Sequence, residues 1–138
     1  MLWRAAGAPE AEKSEIDFTD AEYIAEPFTA AVAWGTENGI VAGYTDGSFK
    51  PDQPISRAQM ATFVYRYMKN VAEYDFGEVK AAEFDDAAEI AAPFVDAVNA
   101  LVSAGIVKGV TANTFDPNGT AVRGAAATVL VRMVHLLT

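Results

Sequence analysis

The chain has 138 residues with 10 basic and 19 acidic side chains, a formal net charge of -9, no cysteine, and 51% hydrophobic against 21% charged residues. That length suits one compact domain or a few small units sharing a core, and the composition lies far from that of disordered chains. The acidic balance argues against nucleic acid and anionic lipid as partners, both of which need a basic footprint. The missing cysteines exclude disulfides, thiolate metal sites and thiol nucleophiles.

The opening Met1-Leu2-Trp3-Arg4 has no basic segment followed by a long apolar one, so a secretion signal is expected outside this chain. No stretch approaches the roughly 18 apolar residues of a membrane helix. Leu2-Trp3-Arg4 matches Val64-Tyr65-Arg66 and Leu130-Val131-Arg132, so residues 1–14 are expected to be the helical tail of an earlier, truncated copy plus a linker. Residues 8–15 read as a connecting segment.

From residue 15 onward the chain is a tandem duplication. Phe18, Asp20, Ile24, Pro27, Phe28, Val32, Gly39, Ile40, Val41, Gly43, Phe49, Pro51 and Arg57 recur in order. Their counterparts are Phe84, Asp86, Ile90, Pro93, Phe94, Val98, Gly105, Ile106, Val107, Gly109, Phe115, Pro117 and Arg123. One constant shift aligns every pair, which two unrelated amphipathic helices would not do. The expected organisation is a first repeat at 15–70, a linker at 71–83 and a second repeat at 84–138.

Each repeat reads as helix, loop, helix. Pro27 and Pro93 suit a first helical turn, where a missing N–H costs nothing. Gly39 and Gly105 suit the left-handed residue past a helix end, with Ile40-Val41 and Ile106-Val107 folding back on the last turn. Asn113 standing in for Gly47 suggests a left-handed turn residue at both places. Phe49 and Phe115 should pin the loop. The second helices carry stripes of Met60, Phe63, Val64, Tyr67 and Met68, and of Ala126, Val129, Leu130, Met133 and Val134. Ser56 and Gln59 form a capping box that Val122 and Ala125 lack. The fold class is therefore all-α, tandem helix-loop-helix repeats sharing a core, with Phe28, Val32, Phe63, Val64, Phe94, Val98, Val129 and Leu130 in it.

The strings Phe18-Thr19-Asp20, Gly39-Ile40-Val41-Ala42-Gly43-Tyr44, Asp46-Gly47-Ser48-Phe49-Lys50-Pro51 and Ser56-Arg57-Ala58-Gln59 resemble the S-layer homology domain, over nearly the whole chain except the linkers. The resemblance implies a mostly helical module in a pseudo-threefold arrangement, here partial, that binds secondary cell-wall polysaccharide, often pyruvylated, outside the cell. It also implies an arginine in the groove. Ser56-Arg57-Ala58-Gln59 keeps the arginine but not the acid of the family's Thr-Arg-Ala-Glu string, and Val122-Arg123-Gly124-Ala125 keeps only the arginine.

Arg57, at a capped helix start with backbone N–H groups expected to be free, could fork onto a carboxylate. The competing reading is that Arg57 and Arg123 bridge Asp20 or Asp86. Gln59 organises the same helix start, and Tyr44 and Trp34 could present a ring face to a sugar, although aromatics at helical spacing are more often core. Asp20 and Asp86 are expected to accept from loop N–H groups. The ligand-binding candidates are Arg57, Gln59, Tyr44, Trp34 and Arg123. The lone His135 makes no metal site, and no catalytic constellation, metal loop or cofactor motif is present. The expected function is a non-catalytic cell-surface anchor binding anionic cell-wall polysaccharide, without membrane insertion. The alternative is an interaction repeat that packs only against neighbouring repeats or subunits.

Overall fold

The computed structural model of the protein describes residues 1–11 and 16–138; the part of the connecting segment at 12–15 lies outside the described residues. Among the described residues it is helical with no strand, the extended pairing being limited to one antiparallel bridge between Ser56 and Thr120. The α-helices are α1 (Leu2–Ala5), α2 (Glu26–Glu37), α3 (Arg57–Asn70), α4 (Val95–Ser103) and α5 (Arg123–Leu137), with short 3-10 turns at Ala21–Tyr23, Ala87–Glu89 and Ala92–Phe94. No described helix is long and apolar enough to cross a membrane.

The chain forms two compact units, Met1–Gln53 and Pro54–Thr138. Their boundary falls inside the first sequence repeat, at the end of its loop, so the duplication and the packing partition the chain differently. In the first unit the short α1 is helical and packs on α2. In the second, α3 of the first repeat packs on α4 and on the 3-10 turn Ala92–Phe94 of the second repeat. The sharing of a core between repeats is thus visible in that unit.

Local chemistry accounts for the helix ends. Pro27 lies in the first turn of α2, and Pro93 in the 3-10 turn that leads into α4. Gly39 and Gly105 take φ of +70° and +75°, and the Ile40 and Ile106 N–H groups donate back to the Gly35 and Leu101 carbonyls. Those isoleucines are thereby folded into the interior. The α3 capping box forms as expected, the Gln59 N–H donating to Ser56 Oγ at 3.1 Å and the Ser56 N–H to Gln59 Oε1 at 2.8 Å; α5 starts with no side-chain cap. Val32, Val64, Val98 and Val129 are buried, and Phe63, Phe94 and Leu130 half-buried.

Two core expectations are corrected. Phe28 is 58% exposed, whereas its counterpart Phe94 lies in the turn that α3 packs on and is half-buried. Val134, the counterpart of the fully buried Met68, is 44% exposed. The linker at 71–83 contains no helix, yet it is held: the Tyr74 N–H donates to the Met68 carbonyl, and Tyr65, Phe76 and Tyr74 pack ring on ring with centroids 5.3 and 5.0 Å apart.

The repeated glycine before each loop has a packing reason. A Cβ at Gly109 would meet the Thr114 carbonyl oxygen at 2.5 Å and Phe84 Cε1 at 2.8 Å. At Gly43, with φ +72°, a Cβ would meet Phe18 Cε1 at 2.5 Å. Gly109→Ala should therefore lower stability by about 1–3 kcal/mol, as overpacking of a close-packed site does. Gly124→Ala, in the first turn of α5 with nothing within 4 Å, should raise it by roughly 0.5–1 kcal/mol. Urea denaturation of the two variants, read by circular dichroism, checks that their effects have opposite signs.

Candidate functional site

Two equivalent anchors are built on the loops that follow α2 and α4, one in each unit. In the first, Asp20 accepts from the Phe49 and Lys50 N–H groups, each at 2.8 Å; in the second, Asp86 accepts from the Phe115 and Asp116 N–H groups at 2.9 and 2.8 Å. Two successive N–H groups can converge on one carboxylate because Lys50 and Asp116 take left-handed φ of +57° and +58°. These bonds, led by the one from Phe49 or Phe115, hold both carboxyls below their ordinary range despite partial desolvation. The aromatic two residues earlier completes each anchor: Phe18 stacks on Phe49 at 5.3 Å between centroids, and Phe84 meets Phe115 at 5.5 Å. The expected role of Asp20 and Asp86 as loop acceptors is what the structure shows, and both carboxylates are turned to the loops rather than to an arginine.

The left-handed residue expected in the loop is found at Gly47, φ +85°, but Asn113 does not adopt it. There the Thr111 hydroxyl accepts from the Thr114 N–H at 3.0 Å, closing the turn that Asp46 closes in the first repeat by accepting from the Ser48 N–H.

Arg57 lies against the second loop, within its own unit. Its Nε donates to the Phe115 carbonyl at 2.9 Å and one Nη to the Lys108 carbonyl at 2.7 Å, while its guanidinium carbon sits 5.0 Å from the Phe115 ring centroid. Desolvation lowers its pKa somewhat, opposed by the nearby Asp116 carboxylate; an arginine remains charged under such a shift. The two carbonyls occupy the side-on fork, and the end-on edge is not used in the protein hydrogen bonds among the described residues.

The free N–H groups expected at the start of α3 are not free. The Arg57 and Ala58 N–H groups donate to the Gly119 and Pro117 carbonyls at 2.8 and 3.0 Å, and that of Gln59 goes to the cap. The loop of the second repeat thus does what an anion was expected to do.

The remaining candidates are placed as follows. Gln59 is half-buried and holds the cap. Arg123 is exposed at the uncapped start of α5. Tyr44, in the other unit, is half-buried; its hydroxyl accepts from Gln53 Nε2 at 3.1 Å, and Lys50 Nζ lies 4.2 Å from its ring centroid. Trp34 is 5% exposed, so its ring is core and is not offered to a sugar. Arg132 donates to the Ile106 carbonyl at 3.4 Å, a structural role at the end of the fold-back. A feature missed in the sequence is a groove of about 490 Å³ beside α3 and α4, bordered by Tyr65, Lys69, Tyr74 and Phe76; its aromatics come from a segment read as linker. Among the described residues no group of three His, Asp or Glu side chains is placed to hold a metal.

With this geometry in hand, comparison with known proteins is decisive on family. The S-layer homology domain matches residues 17–61 and again 83–127, more than half of the chain. The chain belongs to the S-layer homology domain family. Among its relatives, the cellulosome-anchoring protein of Acetivibrio thermocellus is 30% identical over 106 residues, 76% of this chain and 23% of the relative. The surface-layer 125 kDa protein of Lysinibacillus sphaericus is 37% identical over 100 residues, 71% of this chain and 8% of the relative. An endoglucanase of Bacillus sp. strain KSM-635 is 32% identical over 133 residues, 94% of this chain and 13% of the relative. The chain thus spans less than a quarter of each.

The anchor of this S-layer homology module is testable by acid. A carboxyl whose folded pKa is depressed stabilises the fold above its unfolded value, about 3.9, and that contribution is lost as pH falls through the folded value. Asp86→Asn keeps one acceptor and sets an amide N–H₂ against a backbone donor. The variant should melt at lower temperature than wild type at pH 6, and the gap should narrow below about pH 3.9. Thermal melts from pH 6 down to pH 2.5 check this; a gap independent of pH would show that the carboxylate is not the stabilising form.

Proposed function

We propose that the chain is a non-catalytic, extracellular anchoring module that binds anionic cell-wall polysaccharide, with Arg57 as the principal ligand contact and Gln59, Tyr44 and Arg123 contributing. The observation that supports it most is the double match to the S-layer homology domain, together with relatives whose names are cellulosome-anchoring and surface-layer proteins. The endoglucanase relative covers the chain with only 13% of its own length, consistent with a module separate from catalysis.

Arg57 suits the role because its side-on fork is already fixed by two carbonyls. A ligand carboxylate such as a pyruvyl group would meet a preorganised end-on edge and would not have to order a flexible side chain. Arg123, exposed on an uncapped helix, lacks that support. Trp34 drops out of the set because it is buried. A second reading, an interaction repeat without glycan binding, is favoured by one specific observation: the first two N–H groups of α3 and the side-on fork of Arg57 are spent on the neighbouring repeat.

Titration against purified pyruvylated wall polysaccharide separates them. Arg57→Ala should weaken binding by about 1.5–3 kcal/mol, the range for hydrogen bonds to charged groups, and Arg123→Ala by less. Because Arg57→Ala also strips the Phe115 and Lys108 carbonyls of their donor, melting curves are taken in parallel. Lost affinity in a variant that is still folded at the assay temperature supports glycan contact, whereas wild type that does not bind moves the function to the interaction repeat.

A further inference from the structure

The chain has two Asn-Gly pairs, Asn38-Gly39 and Asn118-Gly119, and the structure treats them differently. Asparagine before glycine is the pair most open to attack of the next backbone nitrogen on the side-chain amide, because glycine has no Cβ to hinder the approach. Asn38 is held against it. It is the half-buried cap of α2, its Nδ2 donates to the Trp34 carbonyl at 2.9 Å, and the Gly39 N–H is tied to the Thr36 carbonyl of the helix end. The Asp46-Gly47 pair is held too: the Asp46 carboxylate accepts from the Ser48 hydroxyl and N–H, which keep it ionised and a poor target for a nucleophile.

Asn118 is exposed in the second loop, and its side chain makes no hydrogen bond among the described residues. Asp116-Pro117-Asn118-Gly119 is a tight turn closed by the Gly119 N–H on the Asp116 carbonyl at 3.2 Å, with proline second and glycine fourth as such turns prefer. A Cβ at 119 would run into the Asp116 carboxylate, so glycine is the residue that fits this turn. The turn thus fixes a glycine after Asn118 and sets a proton acceptor beside the residue whose nitrogen attacks. The first loop has Asp52-Gln53 at these positions, and Asn70, Asn99 and Asn113 precede residues with a Cβ. The carbonyls on either side of Asn118, of Pro117 and Gly119, accept the Ala58 and Arg57 N–H groups at 3.0 and 2.8 Å, and Thr120 bridges Ser56. Residue 118 is therefore the link that sets the spacing between the two carbonyls on which α3 starts.

We propose that Asn118 is a site of spontaneous deamidation, and that its conversion to isoaspartate loosens the seat of α3. The Gly119 nitrogen loses its proton and bonds to Asn118 Cγ, the Cγ–Nδ2 bond breaks, and the side-chain nitrogen leaves as ammonia, closing a five-membered succinimide. Water then opens the ring. Attack at the main-chain carbonyl leaves isoaspartate, whose backbone runs through Cβ and Cγ and is longer by one methylene; attack at Cγ leaves aspartate. No oxidant or cofactor takes part, and the chain gains one negative charge. The added methylene shifts the Gly119 carbonyl relative to that of Pro117, so the first two N–H groups of α3 no longer both keep straight bonds to their acceptors. The carboxylate by itself is tolerated, since the first loop carries Asp52 there on the same aspartate-anchored backbone. The inference goes beyond the glycan reading and does not depend on it.

Hydroxylamine, which cleaves the chain at a succinimide, reads the reaction directly. On the native full-length chain, at mildly alkaline pH, cleavage is expected between Asn118 and Gly119 roughly tenfold faster than between Asn38 and Gly39, where the Trp34 bond and the helix end must open first. In guanidinium the two bonds should cleave at similar rates. Equal rates in the native chain, or no cleavage after Asn118, overturn the site. Ageing the native chain without hydroxylamine, followed by peptide mapping, should give isoaspartate at position 118 with a mass gain of one dalton, absent from Asn118→Gln. The aged fraction, separated by its added charge, should melt below the fresh protein, while Asn118→Asp melts close to it. An aged fraction that melts as the fresh protein does, or an equal loss in Asn118→Asp, overturns the coupling to α3.

Discussion

The carboxylate two residues after the repeated phenylalanine, Phe18 or Phe84, is the constraint on which each loop depends. Asp86 takes the Phe115 and Asp116 N–H groups to one side of the loop. The carbonyls of Lys108, Phe115, Pro117 and Gly119 are left to receive the start of α3 and its arginine. An α-helix leaves its first N–H groups without intrahelical acceptors, and α3 resolves that with one cap and one neighbouring loop. The aspartate thereby holds the loop on which the helix of the other repeat is seated. The same pairing of Asp20 with Phe49 and Lys50 builds the first loop to the same plan.

What the sequence made legible was local. The duplication, the prolines at helix starts, Gly39 and Gly105 at helix ends and the Ser56–Gln59 box are each decided by a few adjacent residues, and each is found in place. What it hid was set at long range. Phe28 and Phe94 occupy equivalent positions, yet α3 packs on the turn that holds Phe94 and their exposures differ. Trp34 reads as a platform because its counterpart is Ala100, yet its ring is core. The left-handed Lys50 carries no propensity signal and Asp116 only a weak one; in both, the N–H is held by a carboxylate 30 positions earlier. Asn113 carried the signal without the conformation, because Thr111 offered a different closure.

The partition of the chain follows from the same long-range bonds. A repeat defined by sequence runs from its Phe-x-Asp string to the end of its second helix. The compact unit instead begins at Pro54, because α3 gives its N–H groups, its arginine and its buried face to the repeat that follows it. The second helix of the first repeat is thus a contribution to the second repeat. In repeat proteins the energy of such interfaces is what makes short helix pairs stable, and here the interface is polar at one end and apolar along its length.

Under the proposed function, Arg57 would serve both this interface and a ligand. A guanidinium presents five donors in a plane, and carbonyls on its side-on fork neither neutralise its charge nor block the end-on edge. In a chain of net charge -9 an anionic polymer is repelled at long range, but at physiological salt that repulsion is screened over about 8 Å. What remains at contact distance is the local field, and there the desolvation that lowers the Arg57 pKa also strengthens any ion pair formed at its open edge. An arginine buttressed by backbone carbonyls, with no carboxylate hydrogen-bonded to its fork, keeps its full charge for an incoming anion. A salt bridge to Asp20 or Asp86 would have spent that charge, and both aspartates are committed to backbone N–H groups instead.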